Sequence, residues 1–85
     1  MCSLCLVNKK IARKYYKDEA FLIAVGSRIR AVRESKQIST EQLAVDCEVD
    51  YSQINRMELG KVNFSISYLF RIAKALDVDP SELLK

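Results

Sequence analysis

Five side chains between positions 51 and 56 share an unusual chemistry. Tyr51, Ser52, Gln53, Asn55 and Arg56 are polar, rich in hydrogen-bond donors and acceptors, and carry one charge among them. Ordinary solvated helix faces carry Lys and Glu instead, which is the plainer alternative for this stretch. The amides of Gln53 and Asn55 can each make two bonds to adenine, and a guanidinium such as that of Arg56 can bridge O6 and N7 of guanine. The cluster therefore has the chemistry that reads base edges. Other chemistries are poorly provided for. With no His in the chain, His-based catalysis and His-ligated metal are excluded. Cys2 and Cys5 form a C-x-x-C, but Cys47 is the only other thiol, one short of a tetrahedral zinc site. Free reduced thiols are expected, with a redox pair or a metal shared across a dimer as the alternative. No paired carboxylates mark a cleft and no Gly-rich loop cradles phosphate, so neither an enzyme nor a cofactor is expected.

The elements that position these side chains follow from capping residues and apolar spacing. Asp18 is placed to cap a first helix, with Glu19 favourable in its first turn. Phe21, Val25, Ile29 and Val32 recur every three or four residues, with Arg28, Arg30 and Arg33 between them, to about Lys36. Arg28 and Arg30 read as an ordinary exposed face. Ser39 caps a second helix with Gln42 at the capping-box position, and Leu43, Ala44 and Cys47 form its inner face. Asp50 caps a third with Gln53 at the box position. Ile54 and Met57 are its buried pair, and Gly60 provides its left-handed stop. Ser65 opens a fourth, with Ile66, Leu69, Ile72, Ala73 and Leu76 pointing inward. D-P-S-E then sets Asp79 at a fifth cap, with Pro80 at the first helical position and Glu82 at the box position, and Leu83 and Leu84 closing the core. No stretch alternates like a strand, so the spacing predicts an all-α, compact five-helix domain. Glu48–Asp50 is too short a link to fold the second and third helices back antiparallel; it sets them at a steep angle with the small Ala44 at their crossing.

Eighty-five residues, 49% of them hydrophobic and 29% charged, suffice for one small domain. Two Gly and one Pro argue against a loop-rich or all-β chain. The longest uncharged run after the N-terminal segment, Val62–Phe70, has nine residues, too few to span a bilayer. The N-terminal apolar residues precede the basic cluster, the reverse of a secretory signal. With an odd thiol count, this favours the cytoplasm. The net charge of +3 is unevenly spread. Residues 1–17 hold Lys9, Lys10, Arg13, Lys14 and Lys17 and no acid, whereas residues 18–85 hold nine bases and eleven acids. Residues 1–17 therefore read as a basic N-terminal extension to a domain spanning 18–85. The extension is either an arm on phosphates, with Tyr15 and Tyr16 adding contacts, or a solvated tail.

The segments V-G-S-R-I-R-A-V-R-E-S-K, I-S-T-E-Q-L-A, V-D-Y-S-Q-I-N-R-M-E-L-G-K and I-A-K-A-L-D-V-D-P-S-E-L-L resemble the Cro/repressor-type, or XRE, helix-turn-helix family over roughly Val25 to Leu84. The resemblance implies a lambda-repressor-like fold that binds double-stranded DNA. Tyr51, Ser52, Gln53 and Arg56 match family positions that face the major groove, and Asn55 neighbours them. Thr40 matches a position that touches backbone or base, and Lys61 and Asn63 match loop positions that meet phosphate. Arg33 and Glu58 match a pair that often forms an internal salt bridge. Glu48 and Gln37 stand where the family usually has Gly, which implies a left-handed residue at Glu48. Thr40 replaces the usual Gln, and Leu59 sits where a polar residue is common.

The reading that follows is a stand-alone, sequence-specific transcriptional regulator whose third helix enters the major groove. One recognition helix covers few base pairs, so a homodimer on a palindromic operator is expected. Leu59, Phe64, Tyr68, Phe70, Leu83 and Leu84 are its candidate interface. With the chain ending at Lys85, no ligand-sensing domain is expected, so regulation falls to dimerisation, concentration or a protein partner. Small chains of this family serve as phage-type repressors, restriction–modification controllers or antitoxins. The rival class is a protein-interaction module such as a toxin-binding antitoxin, which the slightly acidic body would suit.

Overall fold

Helix starts in the computed structural model, which describes residues 17–85, lie where the capping residues put them. Helix α1 spans Glu19–Ser35, α2 Thr40–Cys47, α3 Tyr51–Glu58 and α4 Ile66–Leu76. Asp18 accepts the Phe21 amide, Ser39 that of Gln42 and Ser65 that of Tyr68, each relieving an orphan donor of the first turn. Asp50 does not cap α3 through its side chain; the Gln53 amide donates to the Asp50 carbonyl instead. The reciprocal half of the expected capping boxes is replaced by bonds further along each element. Gln42 donates to Asp46, Gln53 accepts from Arg56, and Glu82 accepts from Lys85. Among the described residues the expected fifth helix is a 3-10 turn, Pro80–Leu83, opened by Asp79 accepting the Ser81 amide. No strand occurs among them, and the domain is all-α.

All four α-helices end in the same hydrogen-bonded turn. The amide two or three residues past the end reaches back five positions: Ile38 to Arg33, Val49 to Ala44, Lys61 to Arg56 and Val78 to Ala73. This closure needs one left-handed residue. Only Gly60 fills that position with glycine; Gln37, Glu48 and Asp77 are held there at φ near +60°. Glu48 thus adopts the conformation expected of it. Three L-residues in this region each cost about 1–2 kcal/mol.

The core is one cluster. Val25 and Ile29 of α1, Leu43, Ala44 and Cys47 of α2, Ile54 and Met57 of α3, four residues of α4 and Leu83 meet in it. The buried stripe of α1 runs Leu22, Val25, Gly26, Ile29, Arg33, so Leu22 and not Phe21 faces inward. Hydropathy hides this register because two of its members are a glycine and an arginine. Gly26 is there because α3 crosses it backbone to backbone. A Cβ at Gly26 would stand 2.6 Å from the Glu58 carbonyl oxygen and clash with that of Met57. Ile66, expected inward, is 79% exposed, and Phe21 and Leu84 are about half exposed. These three instead line an apolar cavity of about 210 Å³ with Leu22, Val25, Phe64 and Leu69. Leu83 is fully buried, which removes it from the candidate interface.

Candidate nucleic-acid interface

Helix α3 is eight residues long, too short to hold its shape alone in water. Tertiary contacts fix it. Ile54 and Met57 anchor it in the core, and Glu58 is buried beside them. The Glu58 carboxylate accepts two bonds from Arg33, Nε at 2.7 Å and Nη2 at 3.1 Å. The third nitrogen of Arg33 donates to the Ile38 carbonyl at 2.9 Å, tying α1 to the turn before α2. Hydrogen bonding to Glu58 raises the Arg33 pKa further, so the guanidinium stays charged. Arg71 Nη1 donates to the Cys47 carbonyl at 3.1 Å, which caps α2 from α4. Burial pushes the Cys47 thiol up to about 11, with Asp46 adding to the shift and Arg71 opposing it. It is a packing residue at neutral pH.

Anchored this way, α3 turns a polar stripe to solvent. Ser52, Asn55 and Arg56 are exposed along it, spaced three or four apart on one face. Tyr51 is exposed and Gln53 half-buried at its flanks. Arg56 Nη1 donates to Gln53 Oε1 at 3.2 Å, which orients the guanidinium and leaves it four further donors. Leu59 lies one turn on along the same stripe, 44% exposed; the spacing 52, 55/56, 59 carries that signal in the sequence.

The remaining candidates frame the stripe. Thr40 opens α2 and is half-buried. Lys61 and Asn63 are exposed in the loop beyond α3. Lys17, the last residue of the basic extension, donates from Nζ to the Lys61 carbonyl at 3.4 Å. Nothing in the sequence pattern announces that contact, because the two lysines are 44 positions apart. Near the N-terminal end of α3, where α2 meets it, Glu41, Glu48 and Asp50 surround Val45 and Tyr51 in a shallow acidic cavity. Among the described residues no group of three metal-ligating side chains forms, and no helix is long and apolar enough to cross a membrane. Cys2, Cys5, Tyr15, Tyr16 and the bases Lys9 to Lys14 lie outside the described residues.

Two helices set across a three-residue turn, the second held on the core with a polar stripe outward, define a helix-turn-helix. The helix-turn-helix family HTH_3, of the XRE type, matches residues 29–83, and the chain belongs to it. The chain is 38% identical over 60 residues to Control protein C.BamHI of Bacillus amyloliquefaciens, a match covering 69% of this chain and 74% of that one. Its fold is similar to the solved restriction–modification controller protein C.AhdI from Aeromonas hydrophila, with a TM-score of 0.74 and 38% identity over 75% of this chain and 97% of that one. The hypothetical transcription factor NHTF from Neisseria is 32% identical with a TM-score of 0.72, over 85% and 84% of the two chains. The protein is a DNA-binding transcription regulator.

Proposed function

We propose that this chain reads a palindromic operator with α3 in the major groove, as a small controller of the kind that C.BamHI and C.AhdI are named for. The observation that carries the reading is the solvent-facing stripe of α3, whose Ser52, Asn55 and Arg56 have no part in the core. In this reading Arg56 bonds guanine, Gln53 and Asn55 contact adenine, and Tyr51 and Ser52 complete the base-reading set. Thr40, Lys61 and Asn63 meet phosphates on either side. Charge is divided along α3: carboxylates at Glu41, Glu48 and Asp50 gather near its N-terminal end, and Lys17 and Lys61 lie beyond its C-terminal end.

Two copies are needed to cover a useful site, with reading helices about 34 Å apart. The apolar face around Ile66, Phe21, Phe70 and Leu84 supplies their interface. A second copy presents the same face, so one patch satisfies both halves of a two-fold contact. In solution that face would otherwise leave several large apolar side chains in water. The protein acts in the compartment that holds its operator, the cytoplasm of a bacterial cell, and performs no catalysis.

The test is a binding titration across salt on matched and single-substituted operators. Arg56→Ala is expected to cost about 1–3 kcal/mol on the cognate site and to relax preference at one base pair of each half-site. Lys61→Ala weakens all sequences equally and flattens the salt dependence by about one ion per subunit. Uniform loss with Arg56→Ala would make it a phosphate clamp and remove the assignment of the reading face.

A further inference from the structure

We propose that Leu59 is a base-reading residue that contacts the C5-methyl group of one thymine in each half-site. It rests on α3 being the reading helix and adds an apolar contact to a set that is otherwise polar. Two observations carry it. The first is register. Leu59 is the C-cap of α3, with φ −88° and ψ −3° in the helical region and its amide donating to the Asn55 carbonyl at 3.1 Å. Its side chain therefore keeps the rotation of the helix. At about 100° per residue, Ser52, Asn55, Arg56 and Leu59 fall within one arc about 100° wide, opposite the buried Ile54, Met57 and Glu58. Leu59 lies inside that arc, between Asn55 and Ser52 in rotation, and is 44% exposed. The second is that the apolar face does not claim it. The cavity beside Phe21, Ile66 and Leu84 is lined without Leu59, which takes this residue out of the subunit interface that the sequence suggested.

Groove chemistry selects the occupant. A leucine side chain neither donates nor accepts a hydrogen bond, and the apolar group that a base pair presents in the major groove is the thymine methyl. Any other base edge pressed against Leu59 would lose its bonds to water and gain none. Leu59 therefore favours thymine and disfavours the other three bases at the position it meets. Its approach is held from behind. Gly60 follows at φ +72°, and a Cβ there would lie 2.6 Å from the Ile23 Cα, so the turn after Leu59 rests directly on the backbone of α1. Along the helix axis Leu59 lies about 4.5 Å beyond Arg56, roughly one base-pair step of 3.4 Å. Contact with the sugar–phosphate backbone is the competing account, because base contacts in this motif come chiefly from the N-terminal residues of the reading helix.

The experiment uses the full chain and a duplex selected from a random pool by the wild-type protein, with a scrambled duplex beside it. Each thymine of one half-site is replaced in turn, together with its symmetry mate, by uracil, which keeps the Watson–Crick edge and lacks only the methyl group. Wild type and Leu59→Ala are titrated on every duplex. At one thymine pair the wild type is expected to lose about 4-fold per half-site, the contribution of one buried methyl group, while Leu59→Ala loses nothing there. Leu59→Ala should also bind the unmodified duplex more weakly by at least that factor and melt with the wild type, as exposed substitutions do. Uracil effects that are the same in both proteins at every position overturn the proposal. So does a Leu59→Ala variant that weakens selected and scrambled duplexes equally, which makes Leu59 a backbone contact. A variant that sediments as a monomer where the wild type is a dimer overturns it too and returns Leu59 to the interface. A wild-type chain that selects no duplex, or an Arg56→Ala variant that keeps the wild-type base preference, defeats the reading of α3 itself, a separable failure.

Discussion

Glu58→Ala is expected to remove a large part of this domain's stability while leaving its base preference in place. The Arg33 and Glu58 side chains are 10% and 5% exposed, so the substitution strands a buried guanidinium and deletes two charge-assisted bonds. Breaking a buried pair from one side costs about 3–5 kcal/mol. The described residues would have a total stability of roughly 3–10 kcal/mol at typical values per residue. At about 4–8 °C per kcal/mol for a domain of this size, the melting temperature should fall by about 12–40 °C. The bond from Arg33 to the Ile38 carbonyl survives and holds the loss toward the lower end. Changing both residues to Met should recover most of the loss, because a matched apolar pair has no charge to desolvate. It should not recover all of it, since the Ile38 carbonyl then loses its partner at a cost of about 1–3 kcal/mol. Circular dichroism melts of the wild type, the single variant and the double variant measure this, with operator titrations below the lowest transition. A Glu58→Ala protein that melts within a few degrees of wild type refutes the reasoning. One that melts normally and has lost DNA binding would move the pair into the binding machinery.

Further substitutions and treatments test three separate parts of the fold. Glu48→Gly and Gln37→Gly should each stabilise by about 0.5–1 kcal/mol, the left-handed penalty less the extra backbone entropy of glycine; a lower midpoint in urea for either would contradict the account of the helix ends. Ile66→Lys alters a side chain that is 79% exposed, so the monomer should keep its melting temperature while sedimentation shows the dimer lost; a dimer that persists places the interface elsewhere. In a Cys2→Ser, Cys5→Ser background, Cys47 should resist alkylation at pH 8 until the chain unfolds. Its native value of about 11 lies above the ordinary 9.0, so its contribution to stability is present below pH 9 and lost as pH rises toward 11. Rapid labelling of the native protein, or a Cys47→Ala variant with the same alkaline decline as its parent, would sink that reading.

Most of the element order is legible in the residues because caps and stops are local. Ser39, Ser65 and Asp79 each bind the amide that their position requires, and Gly60 takes the left-handed φ of +72°. What is not legible is the rotation of elements whose buried face breaks the hydropathy pattern. The inward stripe of α1 contains Gly26 and Arg33, and these make sense only against α3: one yields room to its backbone, the other answers Glu58. Counting apolar residues therefore selects Phe21 where Leu22 is buried. Ile66 fails for the opposite reason. It is the first residue of α4, beyond the reach of the core, and falls on the rim of the apolar cavity. For the candidate site, the residue types on α3 are local and visible, whereas the approach of Lys17 to Lys61 is tertiary and invisible.

The constraints on α3 are separated by face, and that separation has a consequence for specificity. Gly26 admits the α3 backbone, Ile54 and Met57 fill the core and Glu58 locks onto Arg33, all on one side of the helix. The strained residues Gln37, Glu48 and Asp77 lie in connecting turns. Nothing on the solvent side is required for any of this: the one hydrogen bond among its side chains, Arg56 to Gln53, is an exposed contact within the stripe. Exposed substitutions remote from such features change stability by no more than about 0.5 kcal/mol. Ser52, Asn55 and Arg56 can therefore vary without endangering the fold, and on the proposed reading the domain could change its target sequence while keeping the helix in place. If α3 reads DNA as proposed, stability and recognition should separate under mutation, with Glu58→Ala lowering the first and Arg56→Ala the second.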